Sequence, residues 1–182
     1  MKTQLPSNFK ILYTREQIRS MVSLMAAKID ANYPVEEELV CVGVLKGAWM
    51  FLADLVREIK RPVTIDFMRA TSYGNRTQTS GTVRILKDIE VDIRGKHVLL
   101  VEEIVDSGRT LNFIKERLTG GGALSVKIAS LLDKRERREV ECMPDYCGAI
   151  VPNHFLVGYG LDWGESYRNL GEVYQVVDEK LY

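Results

Sequence analysis

Glu102 and Glu103 stand side by side in the chain, and the run Asp106-Ser107-Gly108-Arg109-Thr110 follows them. Carboxylates accept hydrogen bonds from sugar hydroxyls and bind hard divalent cations. A Ser/Gly/Thr turn that opens a helix offers unpaired N–H groups and hydroxyls at the positive end of the helix dipole, and these suit a phosphate. A phosphate alone would be repelled by three carboxylates. The acids and the turn belong together if ribose hydroxyls and a cation lie between them. The stretch therefore reads as a site for a phosphorylated sugar with Mg²⁺. Solvated acids next to an ordinary helix cap would not need this order of apolar strand, acid pair, turn and helix.

The flanking elements can be read from hydrophobic period. Val98-Leu99-Leu100-Val101 has the composition of a strand buried on both faces. Leu111, Ile114 and Leu118 share one helix face, and Gly120-Gly121-Gly122 stops that helix. A second buried strand, Leu39 to Leu45, ends in Lys46-Gly47 and feeds a helical pattern, AWMFLADLVREI. In open α/β sheets ligands gather where the carboxyl ends of strands meet such turns, so Lys46 and the Gly47 backbone could hold an anion.

Upstream, Thr14-Arg15-Glu16-Gln17 has the form of a capping box before a helix with Ile18, Met21, Val22, Met25 and Ile29 on its core face. That helix should end near Asn32 to Pro34. Val63 to Arg69 alternates as a strand. Ala70 to Thr82 is almost wholly polar with two glycines and reads as a long mobile loop, with Val83 to Leu86 returning as a strand. Leu124 to Leu132 is a further strand, with Asp133-Lys134-Arg135 at its carboxyl end. The charge run Lys134 to Glu141 reads as a solvated face. His154 to Asp162 reads as another strand, and Val173 to Val177 as the one that closes the sheet. The pattern is an α/β fold with a parallel sheet flanked by helices.

At 182 residues and 46% hydrophobic, residues 1–182 are expected to form a single domain with a real core. The 25 basic and 25 acidic residues cancel, which argues against nucleic acid or a membrane surface as a partner. Three cysteines without CxxC spacing and two histidines argue against a disulfide framework or a zinc site. MKTQLPSNFK carries no apolar signal region and no run reaches membrane-spanning length, so the expected compartment is the reducing cytoplasm.

VLLVEEIVDSGRTL resembles the phosphoribosyl-pyrophosphate (PRPP) motif of type I phosphoribosyltransferases, in the form of the hypoxanthine-guanine branch. The acid pair departs from the usual Glu-Asp, with Glu at 103, and Ser107 stands where Thr is usual. The resemblance runs through several motifs from about Leu39 to Leu170 and implies a Rossmann-like sheet with a small hood and a mobile lid. It implies transfer of phosphoribose from PRPP to N9 of hypoxanthine or guanine, giving IMP or GMP and pyrophosphate. VGVLKG resembles the pyrophosphate loop of the family, where the peptide before the glycine can be cis. Ser72-Tyr73 matches the start of the lid. LLDKR matches the segment whose lysine, Lys134, contacts the purine 6-oxo group. Phe155 and Leu156 match positions that stack on the base and meet its edge. Asp162 matches an acid near the metal and the purine 2-position, and Arg168 a contact to pyrophosphate. By the same resemblance Glu102 and Glu103 hold ribose and Mg²⁺, residues 106–110 hold the 5′-phosphate, and Asp106 is the general base. Family members form homodimers or homotetramers. The alternatives are a non-catalytic nucleotide sensor that binds RNA, which balanced charge disfavours, and an enzyme preferring xanthine.

Overall fold

The computed structural model describes residues 5–34, 36–75 and 78–177, with only the backbone described over 72–82. In chain order the elements are β1 (Phe9–Tyr13), α1 (Arg15–Ala31), β2 (Leu39–Val44), α2 (Trp49–Glu58), β3 (Val63–Asn75), β4 (Gln78–Lys87), β5 (His97–Val105), α3 (Arg109–Gly120), β6 (Ser125–Asp133), β7 (Tyr146–Ile150), β8 (Leu156–Val157) and β9 (Val173–Val176). Six strands form the main sheet in the order β4-β3-β2-β5-β6-β7, and β1-β9-β8 form a separate three-stranded sheet, the hood.

The strands β3, β2, β5, β6 and β7 pair in parallel, and only β4 runs antiparallel. Parallel strands are covered on both faces, which is why LVCVGV and HVLLV are apolar at nearly every position. The pleat divides them. Leu39, Cys41, Leu99 and Val101 pack with α1 and α2, while Val40, Val42, Val44, Val98 and Leu100 pack with α3. Gly43 lets α2 lie close to β2, since a Cβ there would stand 2.8 Å from Leu52 Cδ2. Leu111, Ile114 and Leu118 seat α3 on the other face, each burial contributing about 1.5–3 kcal/mol. Ile114 is wholly buried, so Ile114→Ala would cost about 2–5 kcal/mol and loosen that helix.

The helix α1 begins with the expected capping box. Thr14 Oγ1 accepts from Gln17 N, and Gln17 Oε1 accepts from Thr14 N at 2.9 Å. By contrast α3 starts at Gly108, φ +83°, with no side-chain cap. After β2 the chain winds through α2 to β3 on one side, and after β5 it winds through α3 to β6 on the other. The neighbouring carboxyl ends of β2 and β5 are therefore a topological switch point, where a crevice opens.

Three sequence expectations need correction. The described residues of the polar stretch Ala70 to Thr82 are strand and not loop: β3 runs to Asn75 and pairs with β4 from Ala70↔Ile85 to Asn75↔Gln78, so the stretch expected as a lid lies in two paired strands. Backbone pairing needs no apolar side chains, and Thr, Ser and Tyr are tolerated in it. HFLVGYGLD is strand only at Leu156–Val157, because Gly158, Tyr159 and Gly160 all take positive φ and turn the chain. Finally, β9 closes the hood against β1 and β8, not the main sheet.

Candidate active site

The switch point carries the acid pair. Strand β5 continues past its apolar run to Val105, so Glu102 and Glu103 lie within it and its pleat sends them to opposite faces. The carboxylate of Glu103 fills the space that a side chain at residue 47 would need: a Cβ on Gly47 would stand 1.7 Å from Glu103 Oε1. Glu102 Oε1 accepts from Glu103 N at 3.1 Å. Burial pushes the Glu102 carboxyl well above the ordinary carboxylate range, and the charge of Glu103 adds to the rise. Glu103 Oε2 is buried with no hydrogen-bond partner among the described residues. A buried carboxylate oxygen left unpaired is costly and asks for a cation or a donor.

A cleft of about 220 Å³ joins these acids to the turn after β5, and Lys46, Gly47, Glu102, Glu103, Asp106, Ser107, Gly108 and Thr110 all line it. The uncapped start of α3 leaves its first N–H groups to the cleft, and Ser107 Oγ takes one of them, from Arg109 N at 3.4 Å. Asp106 Oδ1 stands 3.1 Å from Arg137 Nε, an ion pair without hydrogen-bond geometry. Arg109 turns its guanidinium away from the cleft, to Glu139.

On the opposite wall the peptide Leu45–Lys46 is cis, one bond earlier than Lys46–Gly47. Lys46 Nζ pairs with Glu165 Oε2 at 2.8 Å, which pulls the Glu165 carboxyl below its usual range. Gly160, φ +100°, rests on the same loop, since a Cβ there would meet Gly47 O at 2.0 Å. The segment 160–168 is held together by Arg168, which donates to Gly160 O at 2.8 Å and pairs with Asp162 Oδ1 at 2.9 Å. Asp162 Oδ2 accepts from Glu165 N at 2.8 Å. Asp162 and Arg168 thus bond to each other and to their own loop, outside the lining of the cleft. Among the described residues no three His, Cys, Asp or Glu side chains gather as a ready metal site.

Lys134 follows the last residue of β6, its side chain mostly buried, and its N–H donates to Val105 O at 2.9 Å, so it sits at the same sheet edge as Asp106. Phe155 belongs to the hood, its ring 6.3 Å from that of Trp163, and Leu156 is buried in the main core. Neither lines the cleft. Ser72 and Tyr73 lie in β3 opposite Val83 and Thr82, and their side chains lie outside the described residues.

Sequence reasoning missed Glu165, Gly160 and the arginines 137 and 138. A usable signal existed for Arg138: Asp133 directly follows the apolar pair Leu131-Leu132 at the end of a strand, where it is fully buried, and an acid so placed needs a cation. Arg135 and Arg138 both pair with it.

Comparison with known proteins agrees with this geometry. Residues 10–163 match the phosphoribosyl transferase domain. The chain is 47% identical over 178 residues to the hypoxanthine-guanine phosphoribosyltransferase of Aquifex aeolicus, covering 98% of this chain and all of the relative. It is 42% identical to the hypoxanthine phosphoribosyltransferase of Haemophilus influenzae, covering 93% of this chain and 96% of the relative. The crystal structure of a hypoxanthine phosphoribosyltransferase from Staphylococcus aureus superposes with a TM-score of 0.94 at 37% identity, over 100% of this chain and 99% of the other. The fold and the cleft define a phosphoribosyltransferase of the type I fold. Within that class, this chain belongs to the hypoxanthine-guanine phosphoribosyltransferase family.

Proposed function

We propose that this protein is a purine-salvage enzyme that transfers the phosphoribosyl group of PRPP to N9 of hypoxanthine or guanine, giving IMP or GMP and pyrophosphate. The observation that carries the reading is the single cleft in which the acid pair meets the uncapped turn of α3. In this reading the 5′-phosphate takes the N–H groups and hydroxyls of residues 106–110, at the positive end of α3. Glu102 and Glu103 accept from the ribose hydroxyls and favour the positive charge that grows on the ribose as its bond to pyrophosphate loosens. Lys46 stabilises the departing pyrophosphate after exchanging its bond with Glu165. Asp106 takes the N7 proton of the purine, which makes the ring nitrogen a better nucleophile.

The buried, unpartnered Glu103 Oε2 fits a divalent cation, and we infer Mg²⁺ held by Glu102 and Glu103 together with substrate oxygens. When bound, the ion would offset negative charge building on the leaving group. For Asp162 to reach metal or purine, or Arg168 to reach pyrophosphate, the bonds these two residues make within their loop must exchange. Lys134 is read as the donor to the purine 6-oxo group, which disfavours adenine, with Phe155 and Leu156 from the hood side of the base. The β3–β4 arm bearing Ser72 and Tyr73 is read as the lid that excludes water. A homodimer or homotetramer is inferred from the family resemblance. No helix among the described residues is long and apolar enough to cross a membrane, and the three free cysteines support a cytoplasmic setting.

The test is nucleotide formation from PRPP and Mg²⁺ with hypoxanthine, guanine, xanthine and adenine in parallel. Turnover with hypoxanthine or guanine that stops in excess EDTA is expected. No turnover with either base, or full activity in EDTA, overturns the reading or its metal.

A further inference from the structure

The phosphate turn is held open from behind. Every carbonyl from Val105 to Gly108 has a donor on the side away from the cleft or in the helix. Val105 O accepts from Lys134 N at 2.9 Å, Asp106 O from Arg138 Nη1 at 2.9 Å, Ser107 O from Glu139 N at 3.0 Å, and Gly108 O from Asn112 N at 2.9 Å. A peptide whose C=O is fixed in one direction has its N–H fixed in the opposite one. Tying down these carbonyls therefore aims the N–H groups of the turn into the cleft before any ligand arrives.

The outer donors to Val105 O and Ser107 O are backbone N–H groups (Val140 N also reaches Ser107 O, at 3.4 Å), which any residue but proline would supply. The donor to Asp106 O is a side chain. Arg138 is anchored by an ion pair with Asp133, which is fully buried, and only 14% of its side chain is accessible. Asp133 is also the register partner of Val105 in the sheet, so the anchor and the turn share one rigid base. Arg138 lies directly against the turn as well: a Cβ on Gly108 would stand 3.1 Å from Arg138 Cδ.

We propose that Arg138, braced by Asp133, is a positioning residue that preorganises the phosphate turn, although it sits in a charge run that reads as solvated surface. The proposal rests on the reading that this turn holds a 5′-phosphate. Preorganised donors gain affinity because no ordering cost remains at binding. The loss on removing Arg138 must then follow the phosphate group and not the rest of the ligand.

The experiment measures dissociation constants of IMP and of inosine, the same ligand with and without the phosphate, by calorimetry on the wild type and on Arg138→Gln. The wild type is expected to bind IMP at least about tenfold more tightly than inosine, as a charged hydrogen-bonding group should. In Arg138→Gln, IMP binding is expected to weaken roughly tenfold, with inosine binding unchanged within about twofold. Removing one partner of a buried pair can destabilise a fold. Arg138→Lys keeps a cation for Asp133 but cannot span both Asp133 and Asp106 O, and it should show the same selective loss. A wild type that binds IMP no better than inosine overturns the phosphate reading itself. A wild type with the expected difference, combined with an Arg138 variant that keeps IMP affinity within twofold or loses both ligands equally, overturns the clamp.

Discussion

Replacing Gly47 by Ala separates the site from the fold. The new methyl group would stand 1.7 Å from Glu103 Oε1, 2.1 Å from Cδ and 2.5 Å from Oε2. No atom pair tolerates that distance, so the carboxylate must retreat by more than about 1 Å. The fold has an inexpensive way to accommodate this, since the obstacle is the far end of a flexible side chain and not backbone. Melting temperature should fall by no more than about 4 °C, the equivalent of roughly 1 kcal/mol for a chain of this size. The function has no such escape. A reacting group displaced by about 1 Å can cost roughly 10²-fold in rate, and kcat/KM for PRPP should fall by about that factor. The assay is continuous spectrophotometric detection of IMP formation from hypoxanthine and PRPP at saturating Mg²⁺. A double-mutant cycle shows whether the damage passes through Glu103: on a Glu103→Ala background, Gly47→Ala should cost almost nothing more. If Gly47→Ala keeps kcat/KM within threefold of wild type, or if the two substitutions add fully, the account of the acid pair is wrong.

Asp106→Asn should lower kcat by roughly 10²–10⁴ with little change in KM for PRPP; initial-rate kinetics giving turnover within threefold of wild type would remove Asp106 as the base. Glu165→Gln frees Lys46 from an exposed ion pair worth at most about 1 kcal/mol. KM for PRPP should therefore fall by up to about fivefold at low salt and converge with wild type at high salt, and an unchanged or raised KM at low salt would contradict this. Asp66 gives a pH dependence. Its burial alone would raise the carboxyl, but hydrogen bonds from Val91 N, Glu90 N and Phe67 N outweigh that and hold it below the ordinary value of 3.8. A lowered carboxyl contributes stability above its unfolded pKa and loses it as pH falls through the folded one. Asp66→Asn should thus cost about 2 kcal/mol at pH 7 and progressively less below pH 4. Thermal melts in which the gap between the two proteins widens on acidification would refute it.

What could be read from the sequence was local. The motif from Glu102 to Thr110 is continuous in the chain, so its chemistry and its strand–turn–helix setting are written in adjacent residues. Thr14 and Gln17 are three residues apart, and their capping box was legible for the same reason. The buried strands β2, β5 and β6 announced themselves because a parallel sheet covered on both faces tolerates little but apolar side chains. Other features depended on partners distant in sequence. Arg138 reaches Asp106 across 32 residues and Lys46 reaches Glu165 across 119, and no period or spacing encodes such meetings. Residues 70–75 became strand because β4 supplied hydrogen bonds to their backbone, a term independent of side-chain polarity. The apolar run at 154–162 failed as a strand because Tyr159, at φ +49°, joins its flanking glycines in turning toward the loop at Gly47. The sequence by itself determined which groups are suited to a phosphorylated sugar, since chemistry resides in side-chain type and local order. Only the tertiary structure decided which charges brace that site, because electrostatic partners are chosen by proximity in space.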